Sequence, residues 1–180
     1  MAAPSFSLSI PAGEDRLRRV CDTCGFIDYV NPKIVVGSVV VWSEPGEEDR
    51  ILLCRRAIEP RTGFWTLPAG YMETNESTWA AAAREAREEA CAEIEIDALI
   101  AVYDIPRISQ VQLMHRARLL RPDIAPGVES LEVGLFRWAE IPWDELAFPS
   151  VHWALEQWRA TRDDAQPVPG RNPQPAQASG

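Results

Sequence analysis

Residues 70–92 read GYMETNESTWAAAAREAREEACA and carry the strongest structural signal in the sequence. Alanine, glutamate and arginine dominate residues 77–90, which predicts a helix there. Glu85, Glu88 and Glu89 are spaced i, i+3 and i+4, so their carboxylates project from one face of that helix. Like charges so placed repel each other, and a bound cation would relieve the repulsion. Mg²⁺ and Mn²⁺ prefer clustered carboxylate oxygens, whereas the alternative interpretation is an ordinary solvent-exposed helix.

The residues around these glutamates favour the first interpretation. Gly70 is followed by five residues and Glu76, and seven more residues lead to Arg84 and the glutamates. This pattern resembles the signature of the Nudix hydrolase superfamily, G-x5-E-x7-R-E-U-x-E-E-x-G-U, in which U is an aliphatic residue. The late glycine of that signature is Cys91 here. A glycine would suit a left-handed helix cap, so the departure concerns the end of the helix and not the carboxylates.

The resemblance extends beyond this segment, over about residues 10–160. The further similar stretches are CDTCGFIDYVNPK at 21–33, FWTLPAGYMET at 64–74, PGVESLEVGLF at 126–136 and IPWDELAFPS at 141–150. They resemble one branch of the superfamily, which carries an N-terminal zinc-ribbon-like segment and includes enzymes that hydrolyse FAD and ADP-ribose. The resemblance implies the α/β/α sandwich fold of the family, with a mixed β-sheet.

The residues independently indicate the same α/β class. The β-branched run at 34–42 predicts a buried strand, and a polar turn follows it. Further strands are predicted at 51–54, 64–67, 92–105, 111–120 and 131–138, and a second helix at 151–161. Strands outnumber helices and the order is mixed, which favours a sandwich with a mixed sheet over a doubly wound parallel sheet.

The resemblance also implies roles for the residues of the box. The implied metal ligands are Glu85, Glu88, Glu89 and the carbonyl of Gly70. They would hold Mg²⁺ or Mn²⁺, which neutralises a diphosphate and activates the water that attacks it. Glu76 and Arg84 would pair with each other and hold the loop against the helix.

The general base is open between two positions. Some family members use a glutamate of the box, here Glu88 or Glu89, and others use a glutamate on a later loop. Glu129 and Glu132 are the candidates on such a loop, either as the base or as an additional metal ligand. An ordinary polar turn before a strand is an equally good interpretation of residues 127–132.

Four residues near the box are candidates for substrate binding. Arg55 and Arg56 are adjacent in a strand and point to opposite faces, so one of them is available to a phosphate. Trp65 and Tyr71 lie beside the box, where an aromatic ring would stack on an adenine or flavin ring. Core packing is the commoner fate of such rings. His115 alternates with apolar residues of a strand and is predicted to be a packed side chain.

Residues 1–30 are predicted to form a partial zinc-ribbon-like segment. Cys21 and Cys24 form a CxxC knuckle that Gly25 follows, whereas a closed structural zinc site needs four ligands. In the similar branch a first CxxC precedes the second, and its spacing would place it at or before Met1. We therefore expect a relic without zinc. A start further upstream, and a zinc shared across a dimer, are the alternatives.

Composition narrows the class of function. A Nudix domain is expected over residues 31–162, and a disordered tail over residues 163–180, where prolines recur. The net charge of −9 argues against a polyanion-binding surface and a nucleic-acid partner. The most apolar run is shorter than the roughly 20 residues of a membrane helix, and the first residues lack a signal-peptide core. These features predict a cytoplasmic protein without a membrane partner.

The favoured function is a divalent-metal-dependent pyrophosphohydrolase that cleaves FAD or ADP-ribose and releases AMP, as the homodimer that is common in the family. One alternative is a non-catalytic domain that senses a nucleotide, but the three glutamates are intact and no basic segment follows Thr161. Another is an NADH or other dinucleotide pyrophosphatase. The NADH branch carries SQPWPFP after the box, whereas Ser109 and Gln110 continue here with VQLM.

Overall fold

A computed structural model describes residues 3–173. The chain divides into two compact units, of which the first ends at Pro32 and the second begins at Lys33. The strands of the first unit are β1 (Phe6–Ser9), β2 (Arg18–Cys21) and β3 (Ile27–Asp28). The second unit contains β4 (Lys33–Trp42), β5 (Arg50–Arg56), β6 (Trp65–Thr66), β7 (Ala69–Tyr71), α1 (Thr78–Ala90), β8 (Ile94–Ile105), β9 (Gln110–Leu119), β10 (Ser130–Arg137) and α2 (Pro149–Thr161). Within residues 3–173, no helix has the length and apolar character needed to cross a bilayer.

The first unit is a small antiparallel sheet in the order β1-β2-β3. Phe6 of β1 lies opposite Cys21 of β2, and Val20 lies opposite Ile27 of β3. Most of its side chains are exposed, and Cys21 is its buried hydrophobic residue.

The second unit is built on a mixed sheet in the order β10-β5-β4-β9-β8, with β6 paired to β5 and β7 paired to β4. Strands β4 and β9 run parallel, and the other pairs are antiparallel. The sequence prediction of an α/β fold with a mixed sheet is therefore confirmed.

Strand β4 is apolar on both faces because a helix packs against each face. Val39 and Val41 pack in one cluster with residues of α2, among them Leu155. Val36 and Val40 point the other way, toward the alanines of α1. Because a strand alternates its side chains, a strand covered by a helix on each face must be apolar throughout.

The chain after α2 differs from the expected disorder as far as it is described. Gly170 lies against the outer edge of β8, where its N–H donates to the carbonyl of Ile100 over 2.8 Å and its carbonyl accepts from the N–H of Val102 over 2.9 Å. The amide of Asn172 bonds both backbone groups of Asp104. Unpaired backbone groups at a sheet edge provide partners that composition does not reveal. The remainder of the expected tail, 174–180, lies outside the described residues.

Arg116 of β9 anchors the start of this segment. Its Nη1 atom donates to the backbone carbonyls of Thr161, Arg162 and Asp164, each over 3.0 Å. Its Nε atom donates to Asp97 over 2.8 Å. The last carbonyls of a helix lack partners within the helix, so this guanidinium stabilises the end of α2.

Candidate active site

Helix α1 carries the box and has a defined cap at each end. The Ser77 hydroxyl accepts a hydrogen bond from the N–H of Ala80 over 3.1 Å, as an N-cap side chain does. At the other end Cys91 has φ of +50°, and the N–H of Ala92 bonds the carbonyl of Ala86 over 3.2 Å. Cys91 therefore adopts the left-handed cap conformation for which the signature provides glycine, at a cost of about 1 kcal/mol.

Arg84 and Glu76 form the expected pair. Two nitrogens of the Arg84 guanidinium donate to the two oxygens of Glu76 over 2.8 and 3.1 Å. The same guanidinium donates to the carbonyl of Tyr71 over 3.0 Å. This bidentate pair fixes the loop between β7 and α1 to the helix.

The remaining nitrogen of Arg84 contacts the carboxylates of the box. Its Nη1 atom lies 2.7 Å from Oε1 of Glu85 and 3.0 Å from Oε2 of Glu88. Glu85 is almost fully buried, whereas the side chain of Glu88 is 58% exposed. The cation on these two carboxylates is therefore a guanidinium in this structure.

Strand β7 lies directly against the two buried carboxylates. A Cβ atom placed on Gly70 would come within 2.3 Å of Oε2 of Glu85, so a larger residue there would displace that carboxylate. The N–H of Ala69 donates to Oε2 of Glu89 over 3.2 Å. The glycine of the signature is thus required for a close approach of backbone to carboxylate.

Burial makes both carboxylates reluctant to ionise. Desolvation raises the pKa of Glu89 to about 8, and the nearby Glu85 adds to this while the N–H of Ala69 opposes it. Desolvation also raises the pKa of Glu85, against the opposing effect of Arg84. Two buried carboxylates held together without enough positive charge form a site that favours a cation.

The loop before β10 packs on the end of α1. The N–H groups of Ala125 and Gly127 donate to the carbonyls of Ala90 and Glu89, each over 3.0 Å. A Cβ atom on Gly127 would lie only 1.7 Å from the carbonyl oxygen of Glu88. The sequence did not reveal that Gly127 lets this loop pack on α1. The available signal was the Pro126-Gly127 pair, which predicts a turn after a helix and two strands.

This loop brings one of the two later glutamates to the box. Glu129 lies close enough to Glu85 and Glu89 to raise the pKa of each. Glu132 instead extends toward Arg55, whose Nη1 atom lies 3.4 Å from its carboxylate. Of the two candidates for the base, the structure brings Glu129 to the box carboxylates.

The two adjacent arginines have different surroundings. Arg55 donates through Nε to the carbonyl of Gly63 over 2.9 Å, in addition to its ion pair. Arg56 donates to the carbonyl of Pro60 over 2.8 Å, and it lowers the pKa of Glu89. Arg56 is therefore the member of the pair that lies on the side of the box.

The two aromatic candidates also differ. Trp65 is 7% exposed and packs edge to face on Phe136, with ring centroids 5.0 Å apart, so it belongs to the core. Tyr71 is 50% exposed, its hydroxyl accepts from Gln110 over 3.1 Å, and the Lys33 ammonium lies 4.7 Å above its ring. Of the two rings, that of Tyr71 is half-exposed and that of Trp65 is buried.

His115 is packed, as its alternation predicted. It is fully buried, and its Nδ1 atom lies 3.3 Å from the carbonyl oxygen of Gly37. Its Nε2 atom and the hydroxyl of Ser38, its neighbour across β4 and β9, are the buried side-chain atoms without a partner in the described part of the chain. Burial lowers the pKa of His115.

The donor set of the box fits a divalent cation, although Arg84 engages part of it. Across residues 3–173, no three carboxylate, thiol or imidazole groups converge as metal ligands do. Glu89 is free of Arg84, however, and Glu85 faces the backbone cradle at Gly70 that a Cβ atom would fill. Oxygen donors with raised pKa values are the ligands that a hard cation such as Mg²⁺ stabilises.

Comparisons with known families match both units. The NUDIX domain family matches residues 32–160, and the Nudix N-terminal family, a zinc ribbon, matches residues 3–30. An ADP-ribose pyrophosphatase from Methanocaldococcus jannaschii is 30% identical over 78 residues, which cover 43% of this chain and 43% of that protein. The chain therefore aligns with less than half of the length of this relative.

Solved structures agree with the family match. A NUDIX hydrolase from Nitrosomonas europaea is 46% identical, with a TM-score of 0.85 over 93% of each chain. The NUDIX domain of Shewanella oneidensis NrtR, solved with ADP ribose, is 20% identical, with a TM-score of 0.63 over 74% of this chain and 90% of that one, and shows the fold alone. The family match over most of the sequence, on a fold that buries the box against β7, assigns this chain to the Nudix hydrolases.

Proposed function

We propose that this chain is a divalent-metal-dependent pyrophosphohydrolase that cleaves a nucleoside diphosphate derivative and releases AMP. The observation that carries the proposal is the pair of carboxylates, Glu85 and Glu89, buried beside each other against the backbone of β7. Their raised pKa values mean that a cation bound there gains a strong electrostatic interaction.

Glu85, Glu88, Glu89 and the carbonyl of Gly70 would hold Mg²⁺ or Mn²⁺. The metal supplies charge neutralisation of the diphosphate and a water of lowered pKa. With the metal bound, Arg84 would no longer pair with Glu85 and Glu88. It would keep its bidentate pair with Glu76, which holds the loop in place. Glu88 is the exposed ligand, so it is the one that can move toward solvent and substrate.

We assign the general base to Glu129. It follows the loop that is fixed to the end of α1 through Gly127, and its carboxylate lies close to Glu85 and Glu89. A base in this position accepts a proton from the attacking water. Glu132 pairs with Arg55 and is therefore assigned a structural role.

ADP-ribose is the proposed substrate ahead of FAD. Two relatives with this fold or sequence are named ADP-ribose pyrophosphatases, from Methanocaldococcus jannaschii and Streptococcus suis. On this chain Tyr71 offers a half-exposed ring beside Gly70 for stacking on an adenine. Arg56, on the side of the box, is available to a phosphate.

A product assay tests the proposal. Purified chain is incubated with ADP-ribose, FAD or NADH in Mg²⁺ or Mn²⁺, and products are separated by chromatography. We expect AMP and ribose 5-phosphate from ADP-ribose, loss of turnover in EDTA, and at least a roughly 100-fold loss in Glu89→Gln. Glu156→Gln, an exposed glutamate of α2, is the matched control. Binding of ADP-ribose without turnover, or normal turnover of Glu89→Gln, would contradict the proposal.

We further propose that the chain is a homodimer. The exposed apolar side chains of the first unit support this proposal, among them Leu8, Leu17 and Val30. Light scattering coupled to size-exclusion chromatography distinguishes a dimer from a 20.1 kDa monomer.

A further inference from the structure

The CxxC knuckle of the first unit keeps the geometry of half a zinc site. The N–H of Cys21 donates to the carbonyl of Phe26 over 2.8 Å, and the N–H of Gly25 donates to the carbonyl of Cys21 over 2.9 Å. Gly25 has φ of +72°, which the tight turn requires. The backbone N–H groups of Cys24 and Thr23 lie near the sulfur of Cys21 and lower the pKa of that thiol.

The rest of the unit does not supply the other half. Residues 3–32 contain neither a further cysteine nor a histidine. The strand beside the knuckle presents hydroxyls instead. The N–H of Asp22 donates to the carbonyl of Ser5 over 3.0 Å, and the nearby hydroxyls of Ser5 and Ser7 lower the pKa of the Asp22 carboxyl. Two thiols do not complete the tetrahedral set of four ligands that a structural zinc requires.

Other contacts join the three strands of the unit. At the end remote from the knuckle, the Glu14 carboxylate accepts from the Tyr29 hydroxyl over 2.6 Å and from Nε of Arg18 over 3.0 Å. The Arg18 guanidinium also lies 5.2 Å from the centre of the Tyr29 ring. These three residues come from the β1–β2 loop, from β2 and from the segment after β3, so one cluster joins these three parts of the unit.

Arg19 makes a second set of bonds between the strands. Its guanidinium lies 5.0 Å from the centre of the Phe6 ring in β1, and 3.4 Å from the carboxylate of Asp28 in β3. A cation between an aromatic ring and a carboxylate attracts both. The centre strand is thereby fixed to each of its neighbours.

We infer that the first unit is a zinc ribbon that folds without zinc. The Glu14–Arg18–Tyr29 cluster, the Arg19 contacts and the backbone bond between Asp22 and Ser5 hold the three strands, and Cys21 and Cys24 carry no resident ion. The match to the zinc-ribbon family reflects the retained strands and knuckle. Residues 3–32 do not contain the four cysteine or histidine ligands that a structural zinc site needs.

Metal analysis of the full chain tests the inference directly. Protein expressed with added zinc and dialysed without chelator is measured by plasma mass spectrometry. We expect the zinc content of the parent to exceed that of Cys21→Ser/Cys24→Ser, which keeps the box, by less than about one ion per ten chains. The digestion pattern of residues 3–32 should be unchanged after EDTA, because metal-dependent folds open on chelation. An excess of one zinc per chain, or of one per two chains, over that variant, or opening of the unit by EDTA, would overturn the inference.

Thiol reactivity gives an independent test. Cys24 and Cys91 are exposed, and Cys21 and Cys54 are buried. In Cys91→Ser, we expect Ellman's reagent to titrate one fast thiol per chain, Cys24, at the same rate with and without EDTA. A thiol that reacts only after EDTA is added would show a metal-bound knuckle and overturn the inference.

Substitutions distinguish whether the Glu14 cluster or the two thiols hold the first unit together. Glu14→Gln is expected to raise the rate of proteolysis within residues 3–32 several-fold, since it removes the charge that both Arg18 and Tyr29 bind. Asp15→Asn, at an exposed neighbour, is the matched control. The double variant Cys21→Ser/Cys24→Ser is expected to change that rate less than Glu14→Gln does. The opposite order, together with faster digestion of the parent in EDTA, would mean that the thiols, through a metal, hold the unit.

Discussion

The backbone N–H of Ala69 lies 3.2 Å from Oε2 of Glu89, and it is the one hydrogen bond in the described structure that this buried carboxylate accepts. The bond joins the strand that precedes the box to the helix that carries it. A single neutral donor does not offset the loss of hydration on burial, and the pKa of Glu89 rises to about 8. The metal-free site is therefore electrostatically strained in its ionised form.

The pH dependence of stability should reveal this strain. Because the folded-state pKa of Glu89 is raised, its contribution to stability is complete below the unfolded pKa near 4.5 and is lost as pH rises to about 8. Glu89→Gln should therefore leave the metal-free protein nearly unchanged at pH 4 and stabilise it by a few kcal/mol at pH 9. Denaturant unfolding in EDTA measures both values. Equal effects at the two pH values would contradict the raised pKa, and Glu156→Gln is the control.

Metal binding should release a proton. At pH 7 the Glu89 carboxyl is mostly protonated in the metal-free protein, since its pKa is about 8, and a bound cation requires the ionised form. Titration calorimetry with Mg²⁺ or Mn²⁺ in buffers of different ionisation enthalpy should give about one proton per site at pH 7, and fewer at pH 9. Binding that is independent of buffer would show that Glu89 is already ionised.

Gly127→Ala should damage both stability and activity. A Cβ atom there would lie 1.7 Å from the carbonyl oxygen of Glu88, so the loop must leave the end of α1. We expect a loss of about 2 kcal/mol or more in unfolding free energy, with a fall in kcat because Glu129 moves with the loop. Val128→Ala, at a neighbour that is 97% exposed, is the control. A Gly127→Ala protein of normal stability and turnover would contradict the assigned loop contact.

His115 should destabilise the fold in mild acid. Its folded-state pKa is lowered by burial, so its neutral form supports the fold above about pH 6.5, and stability falls as pH drops toward the folded-state value. His115→Leu should therefore lose less stability than the parent between pH 7 and pH 5. Thermal unfolding across this range measures the difference. His152→Asn, at the other histidine, is the control, and parallel curves for His115→Leu and the parent would contradict the lowered pKa.

Local periodicity was sufficient for both helices and for most strands of the second unit, but it did not predict β7 or the strands of the first unit. It also did not reveal the contacts between distant segments. The spacing of Glu85, Glu88 and Glu89 placed them on one helix, and the β-branched run predicted β4 to within one residue. The burial of Trp65 depends on the packing of Phe136, which lies 71 residues further along the chain. The roles of Gly127 and Arg116 were hidden for the same reason, since each acts on backbone carbonyls of another element.

The pairing of Gly170 with β8 also affects the tendency of the chain to aggregate. Strand β8 ends the order of the main sheet, and the segment at 170–172 occupies backbone groups of Ile100, Val102 and Asp104 that would otherwise face solvent. A Cβ atom at residue 170 would come within 2.4 Å of the side-chain oxygen of Gln157, so a larger residue there would displace the Gln157 side chain. A chain shortened to the family boundary at residue 160 would keep every residue of the box, yet it would present a bare sheet edge on which copies can polymerise.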